Sequence, residues 1–260
     1  MQPTIDVLGI SLKTFGLCFG LAFVVSGAMV ARRLRELGRP PDWAYEMVFA
    51  ALVGGLVGAR GYWVLGHTGE VRGDLLGSLF GGTGLVWYGG ALGGAAGVLL
   101  WAWRKGMFNL LLLDICAPAL AMGYAVGRIG CQVSGDGDYG TPTDLPWGMA
   151  YPHGVVPTTD VVHPTPIYET VSMGLVAWAL WRARDAFRPG VLFAFYLVFA
   201  GAERLLVEFI RRNEPVLAGL TEAQLASLVM LVAGLVWIAR AALRGGLRPE
   251  PKPEPRAAMA

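Results

Sequence analysis

The stretch GRIGCQVSGDGDYG, Gly127–Gly140, sets an arginine, a cysteine and two aspartates among glycines directly after an apolar run. Further along, FAGAERLLVEFIRRNEP carries Arg204, Glu208 and Arg211 at i, i+4 and i+7, a spacing that lines them along one helical face. Arg60, Glu169 and Glu203 also interrupt or border apolar segments. An ionised side chain within hydrocarbon costs about 2.5–3.5 kcal/mol even on the lenient insertion scale, so these groups require partners. One reading is an internal salt-bridge ladder pinning helices together. The other is an anion site: guanidinium forks converging from different helices suit a phosphate, and an excess of arginine over nearby acids favours it. Arg128 points to the same chemistry, because a glycine-rich exit from a helix leaves backbone N–H groups free and lets a headgroup approach closely. In a lipid-embedded bundle the anion at hand is a phospholipid headgroup. A lipid-using enzyme or lipid-handling protein is therefore the leading class.

The elements that must position these residues are membrane helices. The chain has 260 residues, 55% hydrophobic and 15% charged, with a mean hydropathy of +0.52. Its apolar runs are about 20 residues long, the length of a spanning helix and twice that of a barrel strand. Because backbone groups in hydrocarbon must be bonded internally, the expected fold is an all-α integral membrane bundle. Seven spans are expected at roughly 8–31, 44–66, 84–103, 107–126, 165–182, 190–210 and 222–240. Arg32, Arg33, Arg35, Arg39, Arg104, Lys105, Arg182, Arg184, Arg188, Arg240, Arg244, Arg248, Lys252 and Arg256 are 14 of the 21 basic residues and fall on one side. That side is cytoplasmic by the positive-inside rule, which puts the N-terminus outside and the C-terminus inside. Segments 67–83, 127–164 and 211–221 then face the exterior, and the longest of them contains the glycine-rich stretch. Residues 1–240 read as one transmembrane domain, with the first apolar run a retained span and not a signal peptide. The end RPEPKPEPRAAMA, with the rest of 241–260, reads as a disordered cytoplasmic tail.

Cys18, Cys116 and Cys131 sit in separate segments without metal-ligand spacing, and a disulfide framework is not expected. His67, His153 and His163 are too scattered for a metal triad, and Asp136 and Asp138 fall short of a calcium loop. No metal, cofactor or nucleic-acid partner is expected. A transporter is disfavoured, since the charged residues cluster near one surface and not at the midplane.

GRIGCQVSGDGDYG resembles the signature of the bacterial prolipoprotein diacylglyceryl transferases, in which Gly-Arg-x-Gly-Asn is closed by a glycine about a dozen residues from its start. VGARGY at Val57–Tyr62, WYGGALGG at Trp87–Gly94, LPWGMAYP at Leu145–Pro152, HPTPIYE at His163–Glu169 and ERLLVEFIRR at Glu203–Arg212 match in the same order. The resemblance implies seven spans in a bacterial plasma (inner) membrane, and transfer of the diacylglyceryl group of phosphatidylglycerol to the lipobox cysteine of a preprolipoprotein. It places the family's signature arginine on Arg128, its closing glycine on Gly140, and its late-helix arginine and glutamate on Arg204 and Glu208. Arg60, Tyr62, Asp136, His163 and Arg211 join the substrate-binding side. Departures fall on Tyr88, where the family carries histidine; on Cys131, where it carries asparagine; and on Phe15 and Asp136, where it carries tyrosine and glutamate.

Transfer to a thiol needs a thiolate, a held leaving phosphate and a dry pocket. Tyr88, with an ordinary phenol pKa near 10, suits a hydrogen-bonding orienter better than a base. Asp136, Asp138, Glu169 and Glu208 are alternative proton acceptors. Cys131 reads either as a small packing residue or as a relay nucleophile activated by Arg128. The departures leave two alternatives to the family reaction: a paralogue with another acceptor, or a non-catalytic phospholipid-binding protein.

Overall fold

The computed structural model describes residues 1–7, 9–67 and 87–249. Seven α-helices lie among them: α1 Thr14–Glu36, α2 Trp43–Gly66, α3 Trp87–Arg104, α4 Leu110–Ser134, α5 Thr165–Arg182, α6 Val191–Glu208 and α7 Glu222–Leu243. Helices α1, α2, α4 and α7 are long and apolar enough to cross a membrane, while α3, α5 and α6 have 18 residues each. Large apolar side chains stand uncovered along α2 and α7, among them Val57, Leu65, Val229 and Val232. A surface of that kind needs lipid around it, and the chain is a helical membrane protein.

Two differences from the expected spans bear on function. The first apolar run does not begin as helix. Thr4–Val7 (β1) and Ile10–Lys13 (β2) form an antiparallel hairpin instead, turning at Gly9 with φ +82°. TIDV and ISLK alternate polar and apolar residues, a period-two pattern that a window counting only hydropathy does not register. The fourth helix runs on past Val126 to Ser134, so the loop opens at Gly135 and not at Gly127. Gly127 and Gly130 read as breakers, yet a packed membrane helix tolerates glycine where a neighbour comes close. A Cβ on Gly130 would lie 2.9 Å from Cβ of Cys18. Past that loop, Met149–Tyr151 (β3) pairs with Thr158–Val162 (β4), a second hairpin that the all-α expectation omits. Of the expected exterior segment 67–83, all but His67 lies outside the described residues, as do residues 84–86 of the third expected span and residues 250–260 of the expected tail.

The chain divides into two compact units. Within Phe23–Leu112, α2 packs on α3 through glycines. A Cβ on Gly58 would come within 2.7 Å of Gly93 Cα, and one on Gly54 within 3.2 Å of Gly97 Cα. Backbones that close exclude any larger residue, which is the physical content of the paired glycines in VGGLVGAR and WYGGALGG. Glu46 closes one end of this pair by accepting from Trp101 Nε1 at 2.9 Å and pairing with Lys105 at 2.7 Å.

The other unit comprises Met1–Ala22 and the chain from Leu113 onward. Ala117, Ala121 and Ala125 of α4 pack against Met173, Ala177 and Leu180 of α5 and Leu192 and Ala200 of α6. Small residues on α4 let three helices converge. Asp114, near the start of α4, accepts from the backbone N–H groups of Gly190 at 2.6 Å and Phe193 at 2.8 Å, so it caps α6 from a different helix. Helix α7 begins in a capping box of Thr221 and Gln224, and the Thr221 hydroxyl also donates to Glu208 at 2.7 Å.

Candidate active site

The last turns of α4 carry Tyr124, Arg128 and Cys131 at i, i+4 and i+7. Beyond Ser134 the chain turns through Gly137, whose φ of +97° suits glycine, and runs as a short strand against two other segments. Gly140 N donates to His163 O at 2.8 Å, Thr141 N donates to Ile210 O at 2.8 Å, and Arg212 Nε donates to Gly140 O at 2.9 Å. Gly140 lies where these three pieces meet. A Cβ there would stand 2.5 Å from the Ile210 carbonyl oxygen and 3.0 Å from both His163 Cβ and Thr165 Cγ2. This stitching carries Asp138 and Arg211 together, with Gly140 and Arg211 bridged directly.

Three arginines and three carboxylates then interlock. Asp138 bonds Arg128 through one oxygen and Arg211 through the other. Glu169, fully buried on α5, accepts from the Tyr124 hydroxyl at 2.6 Å and from Arg204 at 3.2 Å, and lies 3.3 Å from Arg128. Arg204 reaches Glu208 at 2.9 Å, and Glu208 accepts from Asn213 and Thr221, each at 2.7 Å. Arg128 also donates to Tyr124 at 3.0 Å and lies over its ring. The helical face read from Arg204, Glu208 and Arg211 holds for the first two. Because α6 ends at Glu208, Arg211 arrives through the following turn, its Nε 3.9 Å from the Glu208 carboxylate.

The expected excess of arginine is absent from this cluster: Arg128, Arg204 and Arg211 face Asp138, Glu169 and Glu208. Sequence distance concealed Asp138 and Glu169 as their partners. Charge balance is not full hydrogen bonding, however. Arg211 Nη1 is buried with no hydrogen-bond partner, its nearest carboxylate oxygen in Glu169 being 3.6 Å away. The second oxygens of Glu169 and Glu208 likewise lack a hydrogen bond. The Glu208 oxygen is still ion-paired with Arg204 at 2.9 Å, whereas Arg211 Nη1 and the Glu169 oxygen, 3.6 Å apart, leave one buried donor and one buried acceptor for a ligand or water to satisfy. Asp138 is the most exposed carboxylate of the set, its side chain 31% accessible. Burial would raise its pKa, but Arg128 and Arg211 outweigh that and hold the carboxyl below the usual range.

Asp136 stands beside the ion cluster, accepting from the backbone N–H of Asp138 at 3.2 Å in an Asx turn. Cys131 is buried in α4, 3.7 Å from an Arg128 nitrogen. Its sulfur and the carboxylates of Asp136 and Asp138 lie within 4.8 Å of one another. Arg128 already donates to both Cys131 and Asp138, so a fixed cation holds the position a metal would take. His163 turns to Tyr168, Nδ1 to hydroxyl 3.3 Å, and Trp147 donates to the same hydroxyl at 2.8 Å. Next to that pair Tyr151, stacked on Tyr139 and bonded to Gln132 at 2.9 Å, has its phenol pushed up to about 12 by burial. Arg60, over the Trp63 ring at 4.6 Å, the half-exposed Tyr62 and Tyr88 belong to α2 and α3 of the other unit. Tyr124 was not foreseen, although its place four residues before Arg128 puts it on the same face.

Fold and site define a helical membrane protein with a buried arginine–carboxylate centre gathered at the ends of three helices. The chain belongs to the prolipoprotein diacylglyceryl transferase family, whose sequence model matches residues 3–240. Among similar proteins, the phosphatidylglycerol–prolipoprotein diacylglyceryl transferase of Chromohalobacter salexigens is 32% identical over 262 residues, covering 92% of this chain and 94% of its own. That of Clostridium tetani is 29% identical over 241 residues, covering 90% and 96%. The one from Leptospira interrogans is 31% identical over 231 residues, covering 78% and 73%.

Proposed function

We propose that this membrane protein transfers the diacylglyceryl group of phosphatidylglycerol to the lipobox cysteine thiol of a preprolipoprotein, in the plasma (inner) membrane of a bacterium. The thiolate sulfur attacks the terminal glyceryl carbon; the S–C bond forms as the C–O bond breaks, and glycerol phosphate leaves with the electron pair. The observation that carries this reading is the centre of Arg128, Arg204 and Arg211 in a chain that matches the family over residues 3–240. The unsatisfied Arg211 nitrogen suits a phosphate oxygen, and the Glu169 oxygen opposite it suits a hydroxyl of a glycerol headgroup.

In this account Arg128, Arg204 and Arg211 hold the phosphate, and the headgroup takes the place of Asp138 between Arg128 and Arg211. Glu208 fixes Arg204, and Gly140 keeps the strand close enough to place Arg211. Cys131 packs, Asp136 shapes the turn and His163 secures the passage from strand to helix. Tyr88 orients the acceptor thiol, with Arg60 and Tyr62 on the substrate side. A thiol of pKa about 8.5 is a few per cent ionised near neutral pH, which sustains the reaction without a histidine base. The topology has seven spans, the N-terminus outside, residues 1–240 as one domain, and 241–260 as a cytoplasmic tail. Incubating the purified protein with phosphatidylglycerol and a lipobox peptide should give a diacylglyceryl mass increment on the peptide cysteine. An unmodified peptide, with protein shown to be folded, refutes the assignment.

A further inference from the structure

The short link from α6 to α7 is tied at two points to one atom. Oε1 of Glu208 accepts from Asn213 Nδ2 and from the Thr221 hydroxyl, each at 2.7 Å, while Oε2 meets Arg204 Nη2 at 2.9 Å. The Glu208 side chain is fully buried, so water cannot stand in for a donor that is lost. The Thr221 proton has one place to go. Its oxygen accepts from the Gln224 backbone N–H at 3.2 Å, which leaves the single hydroxyl proton for Glu208. Capping α7 does not require that proton, because an aspartate at the N-cap would accept from Gln224 as well. Asn213 lies in neither helix, and its amide reaches the same oxygen. Both donors therefore act on the carboxylate that holds Arg204.

We infer that Thr221 and Asn213 are positioning residues for phosphate binding: by fixing Oε1 of Glu208 they aim Oε2, and through it the Arg204 fork, at the lipid phosphate. The inference rests on the transferase reading above, in which Arg204 holds that phosphate. The terminal torsion of a glutamate has no sharp rotamer well, so its hydrogen bonds must set the plane of the carboxylate. Without the two donors that plane turns, and Arg204 is left to its other partner, Glu169, at 3.2 Å. Arg204 grips the phosphate both before and during transfer in this scheme, so loosening it weakens lipid binding without slowing the chemical step. Neither Thr221 nor Asn213 touches the lipid.

The test uses the full-length protein and a lipobox peptide in phosphatidylcholine vesicles carrying a rising fraction of phosphatidylglycerol. Thr221→Val removes both the cap and the donor to Glu208. Gln224→Ala removes the other half of the capping box, in which its side chain accepts from Thr221 N at 3.0 Å, and leaves the Thr221 hydroxyl on Glu208. Both variants should melt earlier than wild type. Only Thr221→Val should raise the KM for phosphatidylglycerol, about tenfold, with kcat within about twofold; Thr221→Ser should restore it, and Asn213→Ala should raise it about threefold. A wild-type KM in Thr221→Val, an equal rise in Gln224→Ala, or no recovery with serine overturns the inference. Should Thr221→Val fail to fold, an unchanged KM in Asn213→Ala overturns it alone. If the wild-type protein leaves the peptide unmodified, the transferase reading fails, and the rise in melting temperature on adding phosphatidylglycerol becomes the readout. That rise should be smaller in Asn213→Ala than in wild type, and an equal rise overturns the inference.

Discussion

Replacing Asp138 with asparagine tests whether the arginines bind the lipid phosphate by exchange. Asp138 spans Arg128 and Arg211, so in the resting protein its carboxylate stands where a phosphate would bridge them. The variant keeps the shape and removes the charge, leaving three arginines facing Glu169 and Glu208. A charge-assisted hydrogen bond contributes about 1.5–3 kcal/mol, and two are released here. The side chain is 31% accessible, so solvent screening and the asparagine carbonyl recover much of that. A net advantage to phosphate of about 1.4 kcal/mol is a factor of about ten. The KM for phosphatidylglycerol in the lipobox-peptide assay should therefore fall about tenfold, and added glycerol phosphate should inhibit more strongly. The lipid-free variant should melt earlier than wild type because one arginine is left uncompensated, and phosphatidylglycerol should narrow that gap. A raised or unchanged KM in protein that melts cooperatively would show that Asp138 belongs to the phosphate site's permanent wall, and the exchange idea would be wrong.

Other expectations follow from the same contacts. Gly140→Ala drives a methyl against the Ile210 carbonyl oxygen, so it should displace Arg211 and lower turnover at least about tenfold, as read in the peptide assay. Asp114→Ala strips two α6 N–H groups of their acceptor and should cost about 2 kcal/mol, measurable by denaturant unfolding, with little effect on KM. Cys131→Ser should keep turnover within about threefold; its abolition, together with a lipid adduct on wild-type Cys131, would establish the relay nucleophile instead. The Asp138 carboxyl is held below its unfolded value, so its stabilisation is fully present above about pH 3.9 and is lost as pH falls through the folded value. Acid unfolding of Asp138→Asn should accordingly show a weaker pH dependence than wild type in that low range.

Hydropathy and residue spacing carried much of this protein into view. Apolar length alone locates the helices, because hydrocarbon forces each backbone group to bond within its own segment; the expected α2 and α5 match the observed Trp43–Gly66 and Thr165–Arg182 closely. The cost of charge in lipid marks Arg128, Arg204 and Glu208 as residues needing partners before any contact is known. The partners themselves were a matter of tertiary structure. Asp138 and Arg211 are 73 residues apart and Arg204 and Glu169 are 35 apart, and no periodicity links them. The stitching of the Gly140 strand to His163 and Ile210 brings the first pair within reach and the packing of α5 on α6 the second, converting an apparent arginine excess into a balanced centre. Local glycine propensity likewise ended α4 too early, because the neighbour that accommodates Gly130 is Cys18, more than a hundred residues away in sequence. Sequence determines which groups are costly to leave alone. Long-range packing decides which of them meet, because contacts between distant segments depend on how helices and strands converge and not on local pattern.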